Sequence, residues 1–114
     1  MVKQPYYPDK GDLVWIDFDP QSGKEIMKRR PALILTPKAY NRLSGLCLLC
    51  PITSQIKGHG FEIPITIEKK KGVIKSDQIK SFDWHIRKAD FIAKAPPQTL
   101  QAVLNNARAL LFDE

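Results

Sequence analysis

Arg30 stands where a charged loop empties into a strand. The segment Lys24-Glu25-Ile26-Met27-Lys28-Arg29-Arg30-Pro31 ends with an arginine directly before a proline. That position confines the backbone to extended conformations, so the guanidinium can be aimed. A planar guanidinium fork grips phosphate oxygens with paired hydrogen bonds, and Glu25 carries the charge to hold such a fork in place. The competing reading is a solvated basic loop. A second segment, Cys50-Pro51-Ile52-Thr53-Ser54-Gln55, presents two hydroxyls as an apolar strand leaves the core. Polar groups at a strand end beside a barrel mouth suit a ligand, and ordinary turn chemistry explains them equally well.

Other chemistries find little support. The chain has no Gly-x-Ser-x-Gly elbow, no P-loop and no His-Glu-x-x-His. Its acidic residues do not cluster as a metal cage, which disfavours a magnesium nuclease. A paired-imidazole ribonuclease would need both His59 and His85 in one site. The plainer expectation is a loop histidine at 59 and a half-exposed one at 85. Neither a metal nor a cofactor is expected.

Lys plus Arg number 18 against 12 Asp plus Glu, a net charge of +6 and a pI near 9.4. A basic excess favours a polyanionic partner through phosphate contacts and counterion release. The two cysteines, Cys47 and Cys50, could be a redox pair or half a zinc site. No second ligand pair follows, however, and both lie in the apolar run Leu46-Cys47-Leu48-Leu49-Cys50. Three residues apart on a strand, they face opposite sides and read as reduced, small apolar side chains. That usage fits a cytoplasmic location. The opening Met-Val-Lys-Gln-Pro-Tyr-Tyr-Pro contains no apolar run of signal-peptide length, and no stretch is long enough to span a bilayer.

The elements that must position Arg30 and Thr53 are mostly strands. Leu13 to Phe18 is rich in β-branched and aromatic residues. Asp19 to Gly23 breaks it with turn residues, and Lys24 to Arg30 reads as a long exposed loop. Pro31 to Thr36 is the second strand, Pro37 to Ser44 a short helical turn ended by Gly45, and the cysteine strand runs to Ile52. After a polar loop from Thr53 to Gly60, Phe61, Ile63, Ile65 and Ile67 alternate onto one face, with Pro64 marking an edge strand or bulge. Glu68 to Lys71 is a charged turn. Two short strands follow at Gly72–Ile74 and Gln78–Phe82. Leu100, Val103, Leu104, Ala107 and Leu111 then fall on one helix face, behind Pro96 and Pro97 in a first turn. Short strands followed by one terminal helix predict a mainly β chain, a small antiparallel barrel with a covering helix. A chain of 114 residues suits one domain over 1–114.

The sequence resembles the MazF/PemK (Kid) family of toxin endoribonucleases from type II toxin–antitoxin systems. The resemblance spans about Pro8 to Leu111. It is carried by Gly11 through Pro20, Gly23-Lys24-Glu25, Arg30 through Leu35, Tyr40-Asn41, Cys50 through Gln55, Lys57-Gly58 and Asp77 through Ser81, all in order. It implies an SH3-like β-barrel of the CcdB/MazF kind with a C-terminal helix, working as a homodimer. It further implies metal-independent, sequence-specific cleavage of single-stranded RNA, with mRNA as target. Attack by the 2′-hydroxyl would leave 2′,3′-cyclic phosphate and 5′-hydroxyl ends. An acidic antitoxin of the MazE/PemI kind would neutralise the toxin. By position, Arg30 and Thr53 match the catalytic pair and Glu25 an acidic residue beside the arginine. Ser54, Lys57, Gln78 and Lys80 match the RNA-binding face. Many relatives carry Gln and Gly in the loop after the glutamate, where this chain has Ile26 and Lys28; that departure bears on loop conformation and cut-site preference. Arginine stays protonated and is a poor base. Glu25 either accepts the 2′-hydroxyl proton or orients Arg30, and orientation is the preferred reading.

Two other functions compete. A CcdB-like toxin acting on DNA gyrase relies on a C-terminal Trp-Gly-Ile, but this chain ends Ala109-Leu110-Leu111-Phe112-Asp113-Glu114. A non-catalytic SH3-like nucleic-acid-binding module would bind RNA through the same basic residues without cutting it.

Overall fold

The computed structural model describes residues 5–18 and 28–112. Among them lie seven strands and two helices: β1 (Asp12–Asp17), β2 (Arg29–Ile34), α1 (Lys38–Ser44), β3 (Leu46–Thr53), β4 (Glu62–Ile67), β5 (Lys70–Lys75), β6 (Lys80–Asp83), β7 (Asp90–Lys94) and α2 (Pro97–Phe112). Every strand pairing is antiparallel. The order across the sheet is β4-β5-β3-β2-β1-β7, and β6 also pairs β3. The chain is therefore mainly β, a curled antiparallel sheet with a C-terminal helix, as the strand pattern predicts.

β3 organises this sheet. Its first half, Leu46 to Leu49, pairs β6, and its last two residues, Ile52 and Thr53, pair β5. Along its other edge it holds β2 through Leu49, Cys50 and Pro51. Pro51, which has no N–H to donate, falls in the gap between β6 and β5. Alternation divides the side chains of β3 between two apolar clusters. Cys50 and Ile52 join Leu13, Leu33, Ile65 and Ile74 under Val103 of α2. Cys47 and Leu49 join Val14, Ile16, Ile34, Phe82 and Trp84 on the other face. The two cysteines are thus free, buried and on opposite faces, as their spacing predicts. Burial pushes both thiols up to about 12, with Asp83 adding to the effect at Cys47 and Asp77 at Cys50.

α1 is pinned rather than simply packed. Asn41 is fully buried, and its amide donates to Pro8 O at 2.8 Å and Thr36 O at 2.9 Å while accepting the Thr36 hydroxyl at 2.6 Å. The Trp84 indole N–H donates to Asn41 O at 2.8 Å. A buried amide so fully satisfied escapes the desolvation cost of an unpaired polar group.

Three expectations need correction. β7 had no counterpart in the sequence reading, because Asp90-Phe91-Ile92-Ala93-Lys94 is charged at both ends and only Ile92 is shielded. The expected turn from Glu68 to Lys71 contracts to Glu68–Lys69, since Lys70 and Lys71 are paired in β5. Helical spacing puts Leu111 on the same face as Val103 and Ala107, but it is 70% exposed whereas Val103 and Ala107 are buried; α2 extends past the sheet edge it covers. β4 is a terminal strand of the sheet with Pro64 exposed, in line with its proline.

The β4–β5 hairpin closes through two residues with positive φ, Glu68 at 50° and Lys69 at 68°. Such a two-residue turn matches the twist of the flanking strands and favours Asn-Gly; an L side chain there is strained. Lys69→Gly should therefore stabilise the chain by roughly 0.5–1 kcal/mol after glycine's own entropy cost. Thermal unfolding should show Tm rising by about 2–5 °C; an unchanged or lower Tm would show that the turn is unstrained.

Candidate active site

The start of β2 and the end of β3 meet at a groove of about 500 Å³. β2 contributes Arg29, Arg30 and Pro31, and the exit of β3 contributes Thr53 and Ser54. Ala32 pairs Pro51, so continuing that register by two residues sets Arg30 opposite Thr53. Cross-strand partners project from the same face. A guanidinium and a hydroxyl more than twenty positions apart in sequence thus line one groove.

Local contacts prepare Thr53 for use. Its Oγ1 accepts the Gln55 backbone N–H at 3.2 Å, which leaves the hydroxyl hydrogen to donate to another acceptor. The backbone of Thr53 is packed closely by β5. A Cβ placed on Gly72 would lie 2.8 Å from Thr53 O, so only glycine lets β5 approach there.

Adjacent arginines have different fates. Arg29 donates to Asp17 Oδ1 at 2.9 Å, to Asp90 Oδ2 at 2.8 Å and to Lys88 O at 2.6 Å. It ties β2 to β1 and β7. Arg30 forms no ion pair or side-chain hydrogen bond among the described residues, so within that set its five donors are available to a ligand. Glu25 and Ile26 lie outside the described residues. Trp15, Ile65 and Ile67 add apolar lining, and Lys70 and Lys71 add positive charge from the hairpin. The sequence reading missed these five, because the groove forms only when the β4–β5 hairpin pairs with the end of β3.

The other expected residues sit apart from the groove lining. Lys57 is exposed in the loop between β3 and β4, Gln78 is exposed between β5 and β6, and Lys80 is exposed on β6. Lys80 pairs Leu49, four residues before Thr53 along β3 and on the same face. His59 lies beside Lys75 and Glu62, whereas His85 meets the Trp84 ring edge-on; the two imidazoles belong to different parts of the fold.

Glu62 is the unexpected acid. Alternation along β4 suggested an outward residue, yet its side chain is 1% exposed. Oε1 accepts the N–H groups of Lys57 at 2.9 Å and Gly58 at 2.7 Å, and Oε2 accepts Lys75 Nζ at 3.1 Å. Burial alone would raise its pKa. The Gly58 N–H, the Lys75 ammonium and the Lys57 N–H together outweigh burial and hold the carboxyl at about 2. Among the described residues, no helix is long and apolar enough to cross a membrane.

Residues 9–111 match the family model described as PemK-like, MazF-like toxin of type II toxin–antitoxin systems. The chain is 41% identical over 106 residues to the endoribonuclease toxin MazF of Escherichia coli K12, covering 93% of this chain and 96% of that protein. It superposes on the crystal structure of MazF from Deinococcus radiodurans with a TM-score of 0.84 at 44% identity, covering 94% of this chain and 98% of that one. A MazE–MazF structure from the same organism gives 0.85 at 44% identity, covering 94% and 97%.

The contrast between the two arginines yields a stability test. Arg29→Met should destabilise by roughly 1–2 kcal/mol, since it leaves the buried Asp17 carboxylate without its ion partner. Arg30→Ala should change stability by less than about 0.5 kcal/mol. Gly72→Ala should lose roughly 1–3 kcal/mol as the backbones of β3 and β5 are forced apart. Urea unfolding of the three variants measures these differences, and a reversed order for Arg29 and Arg30 would contradict the division of labour.

Proposed function

The chain belongs to the PemK-like, MazF-like toxin family of type II toxin–antitoxin systems, and we propose that it is an endoribonuclease toxin that cuts single-stranded RNA, chiefly mRNA, at Arg30 and Thr53. The observation that carries the site is their placement: Arg30 and Thr53 share a groove, while the neighbouring Arg29 is committed to structural ion pairs.

The chemistry follows from the groups. The substrate's 2′-oxygen attacks the adjacent phosphorus as its proton leaves to a base. The bond from phosphorus to the 5′-oxygen breaks, and that oxygen takes up a proton. The products are a 2′,3′-cyclic phosphate and a 5′-hydroxyl. Arg30 provides a charged, bidentate donor to the phosphoryl oxygens as negative charge develops. Thr53 donates its hydroxyl to one of them. Glu25 orients Arg30 in this scheme, with the base role as the alternative assignment. The need for a 2′-hydroxyl selects RNA over DNA. Ser54 lies in the groove lining as a further polar contact. Lys57, Gln78 and Lys80 extend the RNA path beyond it, and Trp15 offers an aromatic face to an unpaired base.

The toxin acts as a homodimer in the cytoplasm, and its antitoxin is an acidic, MazE-like protein. The likeness to a MazE–MazF complex and the net charge of +6 support that partner. A disordered acidic segment can cover a wide basic surface and would exclude RNA from the groove.

Purified protein incubated with long single-stranded RNA in EDTA should give discrete cuts with cyclic-phosphate ends. Arg30→Ala and Thr53→Ala should each slow cleavage by at least ~10²-fold, the scale of losing one charge-stabilising donor, while RNA affinity falls far less. His59→Ala and His85→Ala should retain cutting. Near wild-type cleavage by a folded Arg30→Ala protein would sink the assignment. Lys80→Ala should weaken binding alike for all sequences, reduce the salt slope by roughly 0.7 and leave the cut motif unchanged; a changed motif would make Lys80 a base reader.

A further inference from the structure

Glu62 is a buried charge that the cleavage chemistry does not use. It stands at the first position of β4, directly across from Lys75 of β5. One carboxylate oxygen takes the Lys75 ammonium, and the other takes two consecutive backbone N–H groups from the loop that follows Thr53. Gly58, with φ of 88°, lets those N–H groups converge on one oxygen, the arrangement of an anion-binding backbone nest. Here the anion is supplied by the protein itself.

We propose that Glu62 is a positioning residue: by gripping the backbone of Lys57 and Gly58 it fixes where the Lys57 ammonium meets the RNA path. This rests on the function proposed above. The loop from Ser54 to Phe61 is anchored along its length, and at its end Ser76 donates from N and Oγ to Phe61 O. Thr53 Oγ1 holds Gln55 N at its start, Glu62 holds its middle, and Asn106 of α2 holds Gly60 O at 3.2 Å near its end. The middle anchor alone holds the backbone of Lys57, the residue assigned above to the RNA path. Lys75 fixes the carboxylate on a paired strand, so the loop inherits the rigidity of the hairpin. Lys75 and the two N–H groups also neutralise Glu62, so an acid beside a phosphate-binding site does not repel phosphate. Without the carboxylate, Lys57 keeps its charge but loses its fixed position, and binding energy goes into ordering the loop.

The test uses Glu62→Gln, Lys57→Ala, the double variant and Lys75→Met in the full-length protein. Amide hydrogen exchange of the free protein reads the clamp directly. Exchange at Lys57 and Gly58 should accelerate in Glu62→Gln while amides of β2 and β3 hold. With an RNA substrate, Glu62→Gln should raise KM about fivefold and leave kcat within about twofold, the pattern of lost uniform binding. In the Lys57→Ala background the same substitution should add nothing, since residues acting through one another are non-additive. A merely structural role predicts a lower Tm with equal KM effects in both backgrounds, and that result would overturn the proposal. If Glu62→Gln fails to fold, Lys75→Met decides: faster exchange at Lys57 and Gly58 with raised KM supports the clamp, and unchanged exchange overturns it. A wild-type protein that cuts no RNA would remove the proposed function, whereas the exchange experiment would still judge the grip on the loop.

Discussion

β3 runs eight residues against three other strands, and its change of partner is the constraint on which the rest depends. On one edge β3 passes from β6 to β5, and Pro51 sits where the ladder on that side is interrupted. Ile52 and Thr53 pair β5, while Leu49 to Pro51 are held by β2. The entry of β2 and the exit of β3 therefore converge. Gly72 completes this arrangement, since a larger residue would push β5 off Thr53. The groove is a consequence of strand exchange, and its two polar residues are delivered by opposite ends of neighbouring strands.

Charge is sorted with equal economy in a chain with net charge +6. Arg29 and Lys75 are spent on carboxylates within the fold, and Arg87 lies 3.8 Å over the Phe82 ring while donating to the carbonyls of Asp17 and Phe18. Arg30, Lys70 and Lys71 also border the groove, as Arg29 does, but without an ion pair among the described residues. The positive potential available to a polyanion thus comes from a selected subset of the basic residues. The exposed Arg29–Asp90 pair contributes little stability by itself; together with the buried Asp17 pair it acts geometrically, tying β1, β2 and β7 together in the register that presents Arg30.

Much of this was legible from local patterns. β-branched and aromatic enrichment located β1, an apolar run located β3, alternation located β4, three-residue spacing separated the cysteines, and helical periodicity located α2. The segments ending in Arg30 and containing Thr53 stood out because each changes character as a strand begins or ends. What stayed hidden depends on contacts far apart in sequence. Nothing in Asp90 to Lys94 announces a strand until β1 offers an edge. Glu62 looks like the outward member of an alternating strand, and only the returning loop and Lys75 make its burial tolerable. Arg29 and Arg30 are equivalent in sequence and become distinct once Asp17 and Asp90 claim one of them. The departure at Ile26 and the role of Glu25 fall in residues outside those described.

Cys47 and Cys50 divide the two apolar faces between them, one thiol in each cluster. Both are held protonated by burial, and a thiol in that state reacts slowly. An alkylating reagent can reach either sulfur only when the face covering it opens, and different regions of a protein open with different free energies. The pair therefore forms two clocks on one strand. Cys50 times the lifting of α2 from the sheet, and Cys47 times the loosening of the aromatic face around Phe82 and Trp84. Equal modification rates would mean that the two layers separate in a single cooperative event, and unequal rates would rank which layer gives way first.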